Sequence, residues 1–413
     1  FMKQGVFMSN LLINGDMQTP RILGTLNVTS IDVPVVDATV KDVDFNFKSD
    51  NVYIKAKSSV LENEIILNAV MQNKFTTPYT FNNLNVHFDN LDLNVISDAI
   101  ENYDAALYKQ NLGVDESAKA IDSTQIVVKN GEITADNIKI QNLKAANFNS
   151  HFSINKNKLV KLKDYSLKVA EGTVSGYGDY DITKHKLNFS THINNFNSQI
   201  LSESLFNLKG QMAGTLNGDV NIKCTGETQA DCLKTLSGRG QFVIADGRMP
   251  KLGSLEYLLK ATNIVTSGIT RISINNIIDL ITPLKTGQFK SITGYFNLDK
   301  GFLKDIEIFS KGKDLNLYLT GSYDIESYIA KMEVYGTLSS NLTSVFGKLK
   351  NFSLNTLLNT IPLLNNTEYS PELTAKIDKI PKDDNFSVSR IFAVVIDGDI
   401  NGLSYVKSFK WVK

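Results

Sequence analysis

No stretch of this chain is apolar for long enough to cross a bilayer as a helix. Its longest apolar runs, such as Phe392-Ala-Val-Val-Ile396, are strand-length, against the roughly 20 residues that a spanning helix needs. Net charge is also missing: 43 Lys and Arg balance 43 Asp and Glu, so no overall field draws the molecule to nucleic acid, and no nucleic-acid partner is expected. Proline is scarce, at eight residues, while Asn, Ile, Leu and Lys are plentiful, which a coding bias explains as well as a physical demand does. The amino end, Phe1-Met-Lys-Gln-Gly5, lacks the charged region, apolar stretch and small-residue site of a signal peptide. It reads as a fragment without its targeting segment.

Catalytic patterns are lacking as well. Gly172-Thr-Val-Ser-Gly176 lacks the nucleophile-elbow spacing, Gly176-Tyr-Gly178 lacks a third phosphate-loop glycine, and no Gly-Lys-Ser/Thr loop occurs. The four histidines, His87, His151, His185 and His192, are scattered through alternating segments where they read as solvent-facing polar residues. No enzyme activity, cofactor or metal is expected. There are only two cysteines, Cys224 and Cys232, in Cys-Thr-Gly-Glu-Thr-Gln-Ala-Asp-Cys. Their spacing fits a disulfide in an oxidising compartment or two free thiols in a reducing one.

What is present is alternation of period two, the mark of half-buried strands. Phe45 and Phe47 share a side, as do Val52 and Ile54, Val86 and Phe88, Phe152 and Ile154, Leu187 and Phe189, Phe296 and Leu298, and Leu317 and Leu319. Gly-, Asn-, Asp- and Lys-rich turns such as Lys129-Asn-Gly131 and Asp299-Lys-Gly301 predict antiparallel hairpins. One plan returns: Phe152-Ser-Ile-Asn-Lys156 leads to Gly178-Asp-Tyr-Asp-Ile182, and Phe296-Asn-Leu-Asp-Lys300 leads to Gly321-Ser-Tyr-Asp-Ile325. Such repetition describes a scaffold whose units together form a continuous face. Helical spacing predicts helices over 97–108, 198–208, 252–284 (two, around Ser267-Gly268) and 342–358. A boundary near Gly210-Gln-Met-Ala-Gly214 divides a repetitive strand region, 1–209, from a strand-and-helix region, 210–413.

The second region resembles a known family. Leu236-Ser-Gly-Arg-Gly-Gln-Phe-Val-Ile-Ala-Asp-Gly-Arg-Met249, then Phe289 to Gly301, then Leu319-Thr-Gly-Ser-Tyr-Asp-Ile325 resemble the carboxy-terminal region of AsmA-like proteins. Arg390 to Ile400 followed by Val406-Lys-Ser-Phe-Lys-Trp411 is similar to the closing strands of the larger TamB- and YhdP-type members. The resemblance implies a mainly β fold with a few helices: an elongated, curved antiparallel sheet forming a hydrophobic groove, with helices at the carboxy-terminal part. It further implies a periplasmic protein of a diderm bacterium, held at the inner membrane by an anchor missing from this chain, that helps phospholipid reach the outer membrane and works with an outer-membrane or envelope protein partner. The fourteen paired apolar residues named above are the candidate lipid-binding residues, and helix 342–358 is a candidate gate or core-packing helix. The alternative is a structural or adhesive envelope protein, a β-sandwich or solenoid with a filled core.

Overall fold

The computed structural model describes residues 5–15, 20–33, 38–60, 63–74, 77–93, 126–140, 142–206, 213–227, 229–248, 288–312, 315–324, 327, 329–339, 370–382, 388–399 and 406–412. Within them the chain is mainly β, with nineteen strands and three helices. It divides into two compact units, Phe1–Thr191 and His192–Lys413. The boundary read from the sequence, at 209/210, lies outside the described residues. So do the expected helices over 97–108, 252–284 and 342–358.

Unit 1 contains β1 (Val6–Asn14), β2 (Arg21–Val33), β3 (Ala38–Phe47), β4 (Asn51–Val60), β5 (Asn63–Gln72), β6 (Tyr79–Asp92), β7 (Ile126–Ile140), β8 (Leu143–Ile154), β9 (Leu159–Val169), β10 (Gly172–Asp181) and the start of β11 (Lys186–Asn197). From β1 to β10 each strand pairs with the next, antiparallel except for β6 with β7. That parallel pair departs from the hairpins the turns predict. The connection after Asp92 is long enough for the return crossing that parallel neighbours require.

Unit 2 holds the end of β11, then α1 (Ser198–Phe206), β12 (Ala213–Thr225), α2 (Gln229–Thr235), β13 (Ser237–Arg248), β14 (Gln288–Asp299), β15 (Phe302–Gly312), β16 (Leu315–Asp324), β17 (Ile329–Ser339), α3 (Pro371–Ile377), β18 (Val388–Asp399) and β19 (Val406–Val412). From β12 to β19 each strand pairs antiparallel with the next in sequence. Helix α1 lies where helical spacing predicts it. Cys224 at the end of β12 is disulfide-bonded to Cys232 of α2, Cα to Cα 5.1 Å. The same turn is tied by Thr235, whose Oγ1 donates to the Thr225 carbonyl at 2.5 Å and accepts from its N–H at 2.8 Å.

The repeated motif is a three-strand meander, once as β8-β9-β10 and once as β14-β15-β16. In both copies its Asp closes the strand by capping the turn that follows. The Asp181 carboxylate accepts from the Thr183 and Lys184 N–H groups at 3.0 Å, and Asp324 accepts from Ser327 Oγ at 2.5 Å and its N–H at 3.4 Å. An Asx turn of this kind fixes where a strand ends. Backbone N–H donation from Lys184 is the main reason the Asp181 carboxyl is held below its ordinary range.

Candidate functional site

Directly paired residues in adjacent strands project to the same side of a sheet, so register turns the period-two pattern into rows. In unit 1 one row reads Leu26, Phe45, Ile54, Ala69, Leu84, Gly131, Phe152, Leu162, Gly178. A row beside it carries Phe47, Val52, Met71, Phe81, Val128, Ile154 and Val160. The row on the reverse side is Asn27, Asp44, Lys55, Asn68, Asn85, Glu132, His151, Asp164. One face is apolar across nine strands and the other polar across eight.

Unit 2 repeats the division. Gly218, Phe242, Gly294, Ile308, Leu319, Val334 and Val394 form one row, while Asp219, Gln241, Tyr295, Glu307, Thr320 and Glu333 share the reverse. The apolar side is densest around Leu315, Ala330, Val334, Phe392, Val394 and Ile396.

The fourteen candidate residues are placed as follows. Phe45, Phe47, Val52, Ile54, Val86, Phe88, Phe152 and Ile154 share the apolar face of unit 1. Phe189 stacks on Tyr165 of that face with centroids 5.2 Å apart, and Leu187 has the same parity. Phe296, Leu298, Leu317 and Leu319 lie on the apolar face of unit 2. Eleven of them are half-buried; Phe47, Val52 and Leu298 are buried, Val52 completely. Helix 342–358 falls outside the described residues.

Sequence reading left out Phe242, Phe392 and Val394. They sit in continuous apolar runs, Phe242-Val-Ile244 and Phe392-Ala-Val-Val-Ile396, where parity carries no signal. Register supplies it: Phe392, Val394 and Ile396 face Gly336, Val334 and Met332, whereas Ala393 packs on the reverse with Tyr318, Tyr335 and Ile380.

A second feature shapes these faces. Aromatic rings lie across glycines of the neighbouring strand, so a Cβ added to Gly131, Gly240, Gly294 or Gly336 would stand 2.2–2.4 Å from the nearest ring atom of Phe152, Phe296, Phe242 or Phe392. Rings seated in this way cover backbone that glycine leaves bare and rise less above the sheet than rings propped on side chains would.

On the polar face of unit 1, His87, Asp89 and Asp136 bring their ligand-type atoms within 4.8 Å of one another. His87 Nδ1 is 2.9 Å from Thr134 Oγ1 and its Nε2 is 3.3 Å from Asp89. His151 and His192 likewise meet Asp164 and Asp219, each at 2.7 Å. Apart from His87 with Asp89, which share β6, these are cross-strand polar contacts on solvated faces. Among the described residues no helix is long and apolar enough to cross a membrane.

The model of the AsmA family matches residues 35–308, from the connection before β3 into β15, and so takes in strands of both units. No curated protein and no solved structure matches the chain.

Proposed function

The chain belongs to the AsmA family, which is associated with lipid transport and assembly in the cell envelope, and from that premise we propose that its two apolar faces carry or shield the acyl chains of phospholipid. The observation that carries this reading is the row pattern: an apolar, partly accessible side in both units, opposed in unit 1 by a polar one and in unit 2 by a polar row beside the cluster that α3 covers. Each methylene leaving water for such a face contributes about 0.8 kcal/mol. Many near-equivalent apolar rows favour a chain sliding from strand to strand over one held in a single deep pocket. The work is non-catalytic, and its place is the periplasm of a diderm bacterium, between inner and outer membranes.

One observation favours the alternative of a structural envelope protein with a filled core: Val52 and Val128 are wholly buried, at 0% and 1% exposure. Photoreactive residues at Phe45, one row away, and at Phe189 decide between the two readings. Protein purified from membranes should crosslink phospholipid at both positions and none at Lys55 on the reverse face. Lipid-free organic extracts with no crosslinks at either position would support the filled core.

A further inference from the structure

In unit 1 the connections between strands fall on two rims. The first collects the turns β1–β2, β3–β4, β5–β6, β8–β9 and β10–β11; the second collects the turns β2–β3, β4–β5, β7–β8 and β9–β10, together with the end of β6. The rims differ in charge. On the first, among the described residues of the turns and the two strand residues on either side of each, the carboxylates are Asp50 and Asp181 and the cations are Arg21, Lys48, Lys74, Lys156, Lys158, Lys184 and Lys186. Asp181 is already engaged by Lys184 and by the N–H groups it caps. None of the other six cations has an ion pair or side-chain hydrogen bond among the described residues. On the second rim the described side chains balance, Glu64, Asp92 and Glu171 against Lys139, Lys144 and Lys168. There Lys139 is paired with Asp92 at 3.0 Å and Glu64 with Lys41 at 3.9 Å.

The free cations are also regularly placed. Every hairpin turn on the first rim brings at least one, and successive hairpins are about 10 Å apart, two strand spacings, or about 14 Å, three, where β7 lies between the β5–β6 and β8–β9 turns. They border the apolar rows that begin at Phe47, Val52, Ile154 and Val160. We propose that this rim holds the anionic headgroups of phospholipids whose acyl chains lie on the adjoining apolar face, so that bound lipids share one orientation across the strands of unit 1. The inference rests on the reading of the face as a lipid carrier. Given that reading, a lipid with its head at this rim keeps phosphate in water beside cations that outnumber the carboxylates and are not paired with them. Turned the other way, the same head meets a rim where carboxylates and cations cancel.

The test loads the full chain from vesicles of equimolar phosphatidylglycerol and phosphatidylcholine and measures the bound lipids by mass spectrometry. One or two exposed charge contacts are each worth ~0.2–1 kcal/mol, so the native protein should enrich phosphatidylglycerol about three- to tenfold at low salt, and less at high salt. Replacing Lys48, Lys74, Lys156, Lys158 and Lys186 together by Gln should bring the ratio to that of the vesicles and leave total bound lipid unchanged. Replacing Lys144 and Lys168 by Gln should leave the enrichment intact. Bound lipid without headgroup preference in the native protein, or a preference that survives the five-fold substitution, overturns the rim and leaves the carrier reading standing. Loss of vesicle co-sedimentation with an unchanged ratio of extracted lipids would make the rim a membrane-docking surface and overturn the inference. No bound lipid in any variant overturns the carrier reading itself, and the rim with it.

Discussion

Gly240 lies under the ring of Phe296, the residue that opens the second copy of the repeated plan, and Gly131 lies under Phe152, which opens the first. A methyl group at Gly240 would stand 2.2, 2.6 and 2.8 Å from three carbons of the Phe296 ring, so the ring as a whole must move. Gly240→Ala should lower stability by about 1–3 kcal/mol, the usual range for overpacking. Because the cost arises from one ring, Phe296→Leu should be less harmful in the Gly240→Ala background than alone. A double-mutant cycle by denaturant unfolding reads the coupling, and additive effects would mean that the ring does not rest on the glycine. The sequence shows the repeated Phe and the Gly-x-Tyr-Asp-Ile segments but not this pairing. Gly240 lies on a strand remote in sequence from the Gly-x-Tyr-Asp-Ile segments, Lys129-Asn-Gly131 reads as a turn but lies inside β7, and alternation says which residues share a side without saying which strand lies alongside. For the same reason the Tyr and Asp of the motif are visible as repeated letters, while the turn-capping role of Asp181 and Asp324 emerges only from hydrogen bonds.

At the scale of elements, the strands are legible because alternation marks them directly, and α1 because of its helical spacing; its cap emerges from the structure, where the Asn197 side chain accepts from the Gln199 N–H at 3.0 Å. Helix α3 was missed although it too has a local signal, with Ser370 accepting from the Leu373 N–H and Pro371 opening the first turn. Its seven residues are too few to show an apolar period. What holds it is tertiary. Ile380 is 3% exposed and packs with Tyr318 and Tyr335, while Leu373 and Ile377 lie against the same cluster. Lys379 bonds Glu307 at 2.6 Å and lies 5.2 Å from the Tyr318 ring centroid, and Lys376 pairs with Glu333. The Lys379 ammonium, then the Tyr318 hydroxyl, hold the Glu307 carboxyl below its ordinary range, and the Glu307 hydrogen bond raises Lys379. A lowered carboxylate contributes stability above its unfolded value and loses it as pH falls through the lowered folded value. A raised lysine contributes fully below its unfolded value and loses that stability as pH rises through the raised folded value. Docking of α3 should therefore be level through neutral pH and weaken at both extremes. Hydrogen exchange of the α3 amides should quicken in acid, and Glu307→Gln should remove the acid step and weaken the alkaline one, leaving the part that the Lys376–Glu333 pair supplies. An acid step that survives Glu307→Gln would assign it to another carboxylate.

For the whole molecule, the apolar side with glycines under rings occurs in each unit; the reverse side is Asn, Asp, Lys and Glu in unit 1, and in unit 2 it adds to Asp, Gln and Glu the aromatic cluster against which α3 packs. Each face therefore has the chemistry to hold acyl chains by itself. A carboxylate set among acyl chains is buried without a partner and costs several kcal/mol, more than the ~1.4 kcal/mol that changes occupancy tenfold. Ile54→Glu with Phe152→Glu should thus empty unit 1, and Phe296→Glu with Leu319→Glu should empty unit 2. In native mass spectrometry either pair should reduce bound phospholipid without abolishing it, and photocrosslinking should persist at Leu317 in the first variant and at Phe45 in the second. All four changes together should leave the protein folded by circular dichroism and free of lipid. If one pair alone removed every bound lipid, the faces could not be separate carriers. If all four left lipid in place, the acyl chains would have to lie elsewhere than on these rows.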